Sequence, residues 1–275
     1  MSRTRQLSRR IDARPSSDGD GVRIHRIGGR EVSAVFDPFL MLDEIRSADG
    51  SDYIGGFPPH PHRGFETVTY MLHGRMRHED HLGNRGLLSD GGVQWMTAGR
   101  GVIHSEMPEQ SDGLLHGFQL WLNLPAAEKM RPADYADYSA GQLPRVPVAG
   151  GEVRVIAGRF AGVASPVVTG TTAPLYLDLR LEPGAALAVP VPARQQASLY
   201  VYEGATGELA ARQLGIYTDG DTLALHAGPE GVRALLLAGT PLREPVHQYG
   251  PFVMNSMTEI EQAIDDYNSG RLTAA

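Results

Sequence analysis

Leu175, Leu177, Leu179 and Leu181 alternate with Tyr176, Asp178, Arg180 and Glu182, the period-two pattern of a strand with one buried face. Phe118, Leu120, Leu122 and Leu124 alternate in the same way with Gln119, Trp121 and Asn123. Shorter stretches at 22–27, 66–72, 93–96, 153–156, 198–202 and 232–237 read as further strands, separated by turns rich in Gly, Asp, Asn and Pro. The pattern therefore predicts an all-β chain of antiparallel sandwiches or barrels. One helix is predicted at the end: Thr258 and Glu261 read as a capping box, Ile260, Ala263, Ile264 and Tyr267 make an apolar stripe, and Gly270 suits the C-terminal cap. It is expected to pack on the sheets. Residues 126–138 read as an irregular or partly helical connection, and the Gly and Pro cluster at 141–151 places a boundary near residue 145. The expected domains are 1–140 and 141–275.

A repeat supports that division. TVTYMLHG at 67–74 overlays ASLYVYEG at 197–204 with an offset of 130, and GVQWMTAG at 92–99 overlays GDTLALHAG at 220–228 with an offset near 128, which predicts two similar barrels. A chain of 275 residues can bury two cores. No run reaches the roughly 18 apolar residues that a membrane helix needs. Cysteine is absent, which excludes disulfides, zinc–thiolate sites, iron–sulfur clusters and a Cys nucleophile. The net charge of -7 opposes nucleic-acid phosphates, so no direct nucleic-acid binding is expected. The opening run MSRTRQLSRRIDARPSS lacks an apolar core of signal length, and cytoplasm is the expected location. Its Arg3, Arg5, Arg9, Arg10 and Arg14 read as a poorly ordered terminus ahead of a nucleic-acid arm or presequence. Only Lys129 among the 25 basic residues is a lysine, which excludes most lysine-based chemistry.

Seven of the ten histidines, His60, His62, His73, His78, His81, His104 and His116, fall between positions 60 and 116, where an even scatter would place about two. Imidazole is the commonest metal ligand and the usual proton carrier near neutral pH. His60 and His62 are two apart, as are His104 and Glu106, so each pair projects from one face of a strand. Two such pairs on neighbouring strands would bring three imidazoles and a carboxylate to one cation and leave positions open for substrate or dioxygen. His78 and His81 flank Asp80 in what reads as a surface turn, and His73, His116, His226 and His247 read as packed or solvated rings. Trp95, Trp121, Met71 and Met96 are expected in the core, with a pocket wall as the alternative, and Gly99 and Gly101 in a tight turn before His104. No nucleophile elbow is present.

FPPHPHRGFETVTYMLHG at 57–74 resembles the first motif of the cupins, and TAGRGVIHSEMP at 97–108 occupies the place of the second. More narrowly, HPHRGFETVTY, HED at 78–80, QWMTAGRGVIHSEMP at 94–108, DPFLMLDE at 37–44 and GPFVMNSMTEIEQAIDDYNSGR at 250–271 are similar to the pirin family, over residues 22–271. The resemblance implies two tandem antiparallel cupin-type β-barrels, a bicupin, with a short C-terminal helix. It also implies one divalent transition metal in the first barrel, held by His60, His62, His104 and Glu106. Fe(II) is the first expectation, ahead of Mn, Ni, Co, Cu or Zn. A generic cupin would use Glu66, which parity places on the face of His62, but four extended residues span about 13 Å. Glu66 is therefore expected as a pocket residue. At the repeat offsets, Pro190, Pro192, Val232 and Ala234 replace the four ligands, so the second barrel holds no such metal. Bacterial members of the family resemble quercetin 2,3-dioxygenases, which implies a flavonol-like phenolic substrate, dioxygen, and Glu106 as catalytic base. The alternative implied by eukaryotic pirins is a metal- and redox-dependent regulator that binds a partner protein. A monomer is expected.

Overall fold

A computed structural model describes residues 3–274. Positions 1, 2 and 275, the outermost of the two expected segments, lie outside the described residues. The chain forms two compact units, and each draws one chain end from the other half of the sequence. Residues up to Arg14, Ile27–Pro38 and Gly141–Pro241 make one; Pro15–Arg26, Phe39–Ala140 and the chain from Leu242 onward make the other. The expected segments 1–140 and 141–275 are, by contrast, contiguous.

The histidine-rich unit holds β1 (Val22–Ile27), β2 (Phe39–Ser47), β3 (Phe57–His62), β4 (Phe65–His73), β5 (Met76–Asp80), β6 (Arg85–Leu88), β7 (Val93–Thr97), β8 (Val102–Pro108), β9 (Leu115–Asn123) and β10 (Asp134–Tyr138). They form two antiparallel sheets, one ordered β10-β7-β4-β9-β2-β1 with Arg14–Asp18 at its far edge, the other β3-β8-β5-β6. Pro58, Pro59 and Pro61 cannot donate to a ladder, and β3 accordingly lies at a sheet edge.

The second unit contains β11 (Leu175–Leu181), β12 (Ala186–Pro190), β13 (Gln196–Thr206), β14 (Gln213–Tyr217) and the long β15 (Thr222–Gly239). Its main sheet runs Leu7–Asp12, β14, β13, β15, β11, Gly151–Ala157, Arg145–Val148, and β12 pairs with the first half of β15. The basic N-terminal run is thus an edge strand rather than a free arm. Arg5 is buried and donates to the carbonyls of Thr218, Pro192 and Gln195.

Several local expectations shift. β9 and β11 are covered on both faces rather than one: Trp121 on β9 and Tyr176 and Asp178 on β11 are buried along with the leucines. The 126–138 stretch is a single 3-10 turn at Ala126–Glu128 followed by β10. A short helix, α1 (Arg30–Phe36), was not signalled. The terminal helix, α2 (Met257–Asn268), begins two residues earlier than the capping pattern implies. Ser256 caps it, accepting from the Glu259 N–H at 3.3 Å, while the Glu259 carboxylate accepts from the Asn255 N–H. Ile260 and Ala263 pack with Phe252, Met254, Leu272 and Ile103, whereas Tyr267 stays exposed. No helix is long and apolar enough to cross a membrane among the described residues.

The repeat holds for β4 and β13, each of which is central in its sheet. By sheet order, however, the counterpart of β7 is β14, and that of β8 is the first half of β15. The positions that stand in for His104 and Glu106 therefore lie near residues 222–227, not at Val232 and Ala234. The inward side chains there are Leu223, Leu225 and Ala227, packed with Val189 in an apolar cluster.

Candidate metal centre

β3 and β8 pair antiparallel with His60 opposite His104 and Val102 opposite His62. The register then slips between His104 and Glu106, placing Glu106 opposite Phe57, a bulge that the simple parity argument did not include. Ring centroids of His60, His62 and His104 are 4.4 to 4.9 Å apart. One nitrogen from each lies within 4.8 Å of the others, the group of potential metal ligands found among the described residues.

The nitrogens are also in the right state. His60 Nδ1 lies 2.8 Å from the Pro58 carbonyl and donates to it, which leaves Nε2 with a lone pair. That Nε2 is 3.0 Å from His62 Nε2, the separation expected of two adjacent ligands each about 2.1 Å from one ion. His104 Nε2 is buried with no hydrogen-bond partner, and a buried polar atom left unpaired costs free energy unless something fills the site. Burial, seconded by the neighbouring imidazoles, holds His62 and His104 well below the usual imidazole pKa, so both are neutral at pH 7. Three convergent imidazoles, two of them held neutral by burial and one with its Nε2 left without a partner, fit a divalent cation.

Glu106 is buried but is not in that trio. It reaches across the barrel, where Oε1 lies 2.9 Å from the Thr69 hydroxyl and Oε2 accepts from Gln119 Nε2 at 3.1 Å. Beside the imidazoles stand Phe65 and Trp121, whose centroids are 5.1 and 5.4 Å from His62 and 4.3 Å from each other. Trp121, for which core packing is the first expectation and a pocket wall the second, thus does both, packing with Phe65, Leu40, Met41 and Val253 and standing beside His62. The site combines a candidate cation seat, a hydrogen-bonded carboxylate and a pair of aromatic rings tilted 32° to one another.

Glu66 does not reach it. The chain changes sheets at Arg63–Gly64, and Gly64 has φ 91, a conformation that favours glycine. A Cβ there would also sit 2.0 Å from the Val253 carbonyl oxygen. The corner breaks the parity count from His62. Thr69 and its odd-numbered neighbours on β4 face inward, and Glu66 faces the other side, accepting from Thr97 Oγ1 at 2.8 Å. Burial pushes its carboxyl pKa up.

Two groups of residues escaped the sequence reading. His78 is not in a surface turn; it is fully buried on β5, with Nδ1 3.3 Å from His104 Nδ1. Alternation of Met76, His78 and Asp80 was the available signal. The second group clasps the corner after His62. Arg63 donates to Asp266 of α2 at 2.8 Å and to the Arg100 carbonyl. Lys129 is buried and donates to the Gly64 carbonyl, Asn123 Oδ1 and the Val253 carbonyl at 2.7, 2.7 and 3.0 Å. Of the other histidines, His116 is buried against Glu44 at 2.9 Å.

Comparison with known proteins gives two family matches, described as Pirin over residues 21–122 and Pirin C-terminal cupin domain over residues 176–273. A Pseudomonas aeruginosa protein named as a candidate quercetin 2,3-dioxygenase is 52% identical, with 99% of each chain covered. Human pirin is 40% identical over 98% of this chain and 95% of its own length. A crystal structure of quercetin 2,3-dioxygenase from Acinetobacter baumannii matches with a TM-score of 0.91 at 33% identity, covering 98% of this chain and 99% of that one.

Proposed function

The chain belongs to the pirin family, and from that premise we propose that it is a metal-dependent dioxygenase of the quercetin 2,3-dioxygenase type, opening a flavonol-like phenolic with dioxygen. The observation that carries this reading is the convergence of three imidazoles, their ligand atoms within 4.8 Å of one another, beside two aromatic rings and a buried carboxylate. His60, His62 and His104 would hold the metal, with Glu106 as fourth ligand or base and Fe(II) ahead of Mn, Ni, Co, Cu or Zn. A bound divalent cation supplies Lewis acidity to a phenolic oxygen and redox access to dioxygen.

The protein's own groups supply the rest. Trp121, backed by the fully buried Phe65, offers an apolar ring against which an aromatic substrate stacks and from which water is displaced. Glu106, held by Thr69 and Gln119, takes the phenolic proton at a carboxylate oxygen as general base. The names of the P. aeruginosa and A. baumannii relatives support the substrate class.

Incubated aerobically with quercetin, the metal-loaded protein should bleach the flavonol absorption band, consume dioxygen and release carbon monoxide. Glu106→Gln should keep the fold and lose about a hundredfold or more in kcat, within the usual range for removal of a general base. Absence of turnover with each of the six metals would overturn the reading. The nearly full-length match to human pirin supports a second reading, a metal-dependent regulator whose oxidation state alters a partner-binding surface. It predicts a partner whose capture is lost in His62→Ala, and no oxygen uptake.

A further inference from the structure

We propose that Asp80 and His78 form a relay that fixes the tautomer of His104 and directs its Nε2 lone pair into the metal seat, making His78 a positioning residue. The proposal rests on the metal reading above for its consequence, but not for its geometry.

His104 and His78 face each other through their Nδ1 atoms, 3.3 Å apart, with ring centroids at 5.1 Å. Two nitrogens at that distance inside a barrel are compatible only if one carries a proton and the other a lone pair. The assignment follows from the far side of His78. Its Nε2 is buried without a hydrogen-bond partner and lies 3.7 Å from Asp80 Oδ2. Asp80 is itself pinned, with Oδ1 accepting from the Leu82 and Asn84 N–H groups at 2.9 and 3.0 Å and Oδ2 from Asn84 Nδ2 at 2.8 Å. A carboxylate fixed there favours a proton on the His78 nitrogen that faces it and disfavours a lone pair.

His78 is then the Nε2–H tautomer, and its Nδ1 is an acceptor. His104 must be the donor across the pair, with its proton on Nδ1 and its lone pair on Nε2. The reverse arrangement would put a lone pair of His78 against the Asp80 carboxylate and a proton on His104 Nε2, where no acceptor exists. Each of these atoms is shielded from water, so the electrostatic preference is not screened away. Stacking of His78 on Tyr135, with centroids 4.5 Å apart and planes 28° apart, keeps the ring from turning. His60 reaches the same end by another route, since the Pro58 carbonyl takes its Nδ1 proton. In both cases an outer acceptor selects the nitrogen that is free to ligate.

Long-range ¹H–¹⁵N correlation spectra of metal-free, ¹⁵N-labelled protein read the tautomers directly. His104 is expected as the Nδ1–H form and His78 as the Nε2–H form. Isothermal titration with Ni(II) gives a second readout on folded variants. His78→Phe keeps a ring over Tyr135 but removes the acceptor, and it should weaken Ni(II) binding 10- to 100-fold, as outer-partner substitutions do. His78→Asn places a carbonyl oxygen close to the lost Nδ1 and should restore affinity to within about threefold of the parent.

A His104 proton on Nε2 in the metal-free spectra would overturn the relay, as would a folded Phe variant that binds Ni(II) like the parent. If the Phe variant does not fold, the spectra of the parent protein decide. A parent that shows the expected tautomers yet binds no Ni(II) would count against the metal reading and leave the relay standing.

Discussion

The two barrels share a sheet order and differ in what they enclose. Across the large sheet of the first, Gln94, Thr69, Gln119 and Asp43 lie side by side in register on the inward face. The corresponding row of the second barrel, counted from Thr69 at the offset of 130, is Gly215, Leu199, Leu236 and Leu177, and its three leucines pack into one apolar cluster. The contrast repeats on the facing strands, where His60, His62, His104 and Glu106 stand against Val189, Leu223, Leu225 and Ala227. The strand order tolerates either filling. Burying polar groups costs stability unless each finds a partner; in the first barrel most do, and His104 Nε2 does not. The fold alone does not say which barrel is a site, and chemistry is read from the filling.

Reciprocal substitutions should break this comparison most sharply. His62→Ala removes one of three convergent donors and should lower Ni(II) affinity by more than about a hundredfold, above the range for outer partners. Leu223→Ala in the second barrel removes a fully buried side chain. It should cost about 2 to 5 kcal/mol in chemical denaturation and leave Ni(II) affinity within about twofold, as expected of a side chain that shares no partner with the imidazoles. A large loss of metal affinity in Leu223→Ala would show that the second filling serves the site after all.

The contrast was legible in the residues that carry it. HPH at 60–62 and HSE at 104–106 announce a strand pair with donors on one face, because the two-residue period of a strand is enforced by its backbone. The leucine ladder of β11 likewise needed no tertiary knowledge. What failed was parity carried across a break. A parity count from His62 to Glu66 assumes a continuous strand, and Gly64 turns the chain into the other sheet. His78 was read as part of a turn because HED is polar, although it sits on a strand whose inward positions are Met76 and His78. The second block of the repeat aligned β7 with part of β15, since short apolar words recur in any barrel. The exchange of chain ends between the two units has no local signature at all: β14 receives Leu7–Asp12, and the corner after His62 receives α2, through pairings more than 190 residues apart.

Lys129 tests how the first barrel holds its corner. Burial pushes its ammonium down to about 8, with Glu244 and Glu259 pulling the other way. At neutral pH it is therefore still charged, with three donors for its three acceptors. Lys129→Met fills much of the same space but leaves the Gly64 carbonyl, Asn123 Oδ1 and the Val253 carbonyl without that donor. The expected cost is about 3 kcal/mol, the scale of buried acceptors losing a charged partner, measured as the shift in urea midpoint at constant slope. Gly64 adjoins the strand that carries His62, so a fewfold weaker Ni(II) affinity should accompany the loss. A stability loss with unaltered affinity would mean that the corner holds the fold but not the ligands.

The smallest effect expected is that of Asp266→Asn, and pH separates it from the others. The Arg63 guanidinium, chiefly by its hydrogen bond, holds the Asp266 carboxyl below its ordinary value, and Gln262 and Arg271 add to the effect. A carboxyl depressed on folding contributes stability that is fully present above its unfolded pKa, and the contribution disappears as pH falls through the folded value. Asp266→Asn should therefore lower stability at pH 7 by no more than about 1 kcal/mol, the range for ion pairs that keep some solvent contact. The parent and variant curves should converge as the solution is acidified below the ordinary carboxylate range, when the parent's carboxyl takes up a proton and becomes, like the amide, uncharged. Because Arg63 follows His62 directly, a variant whose deficit persisted unchanged in acid would assign the clasp to packing of α2, not to the ion pair between the helix and the strand that carries His62.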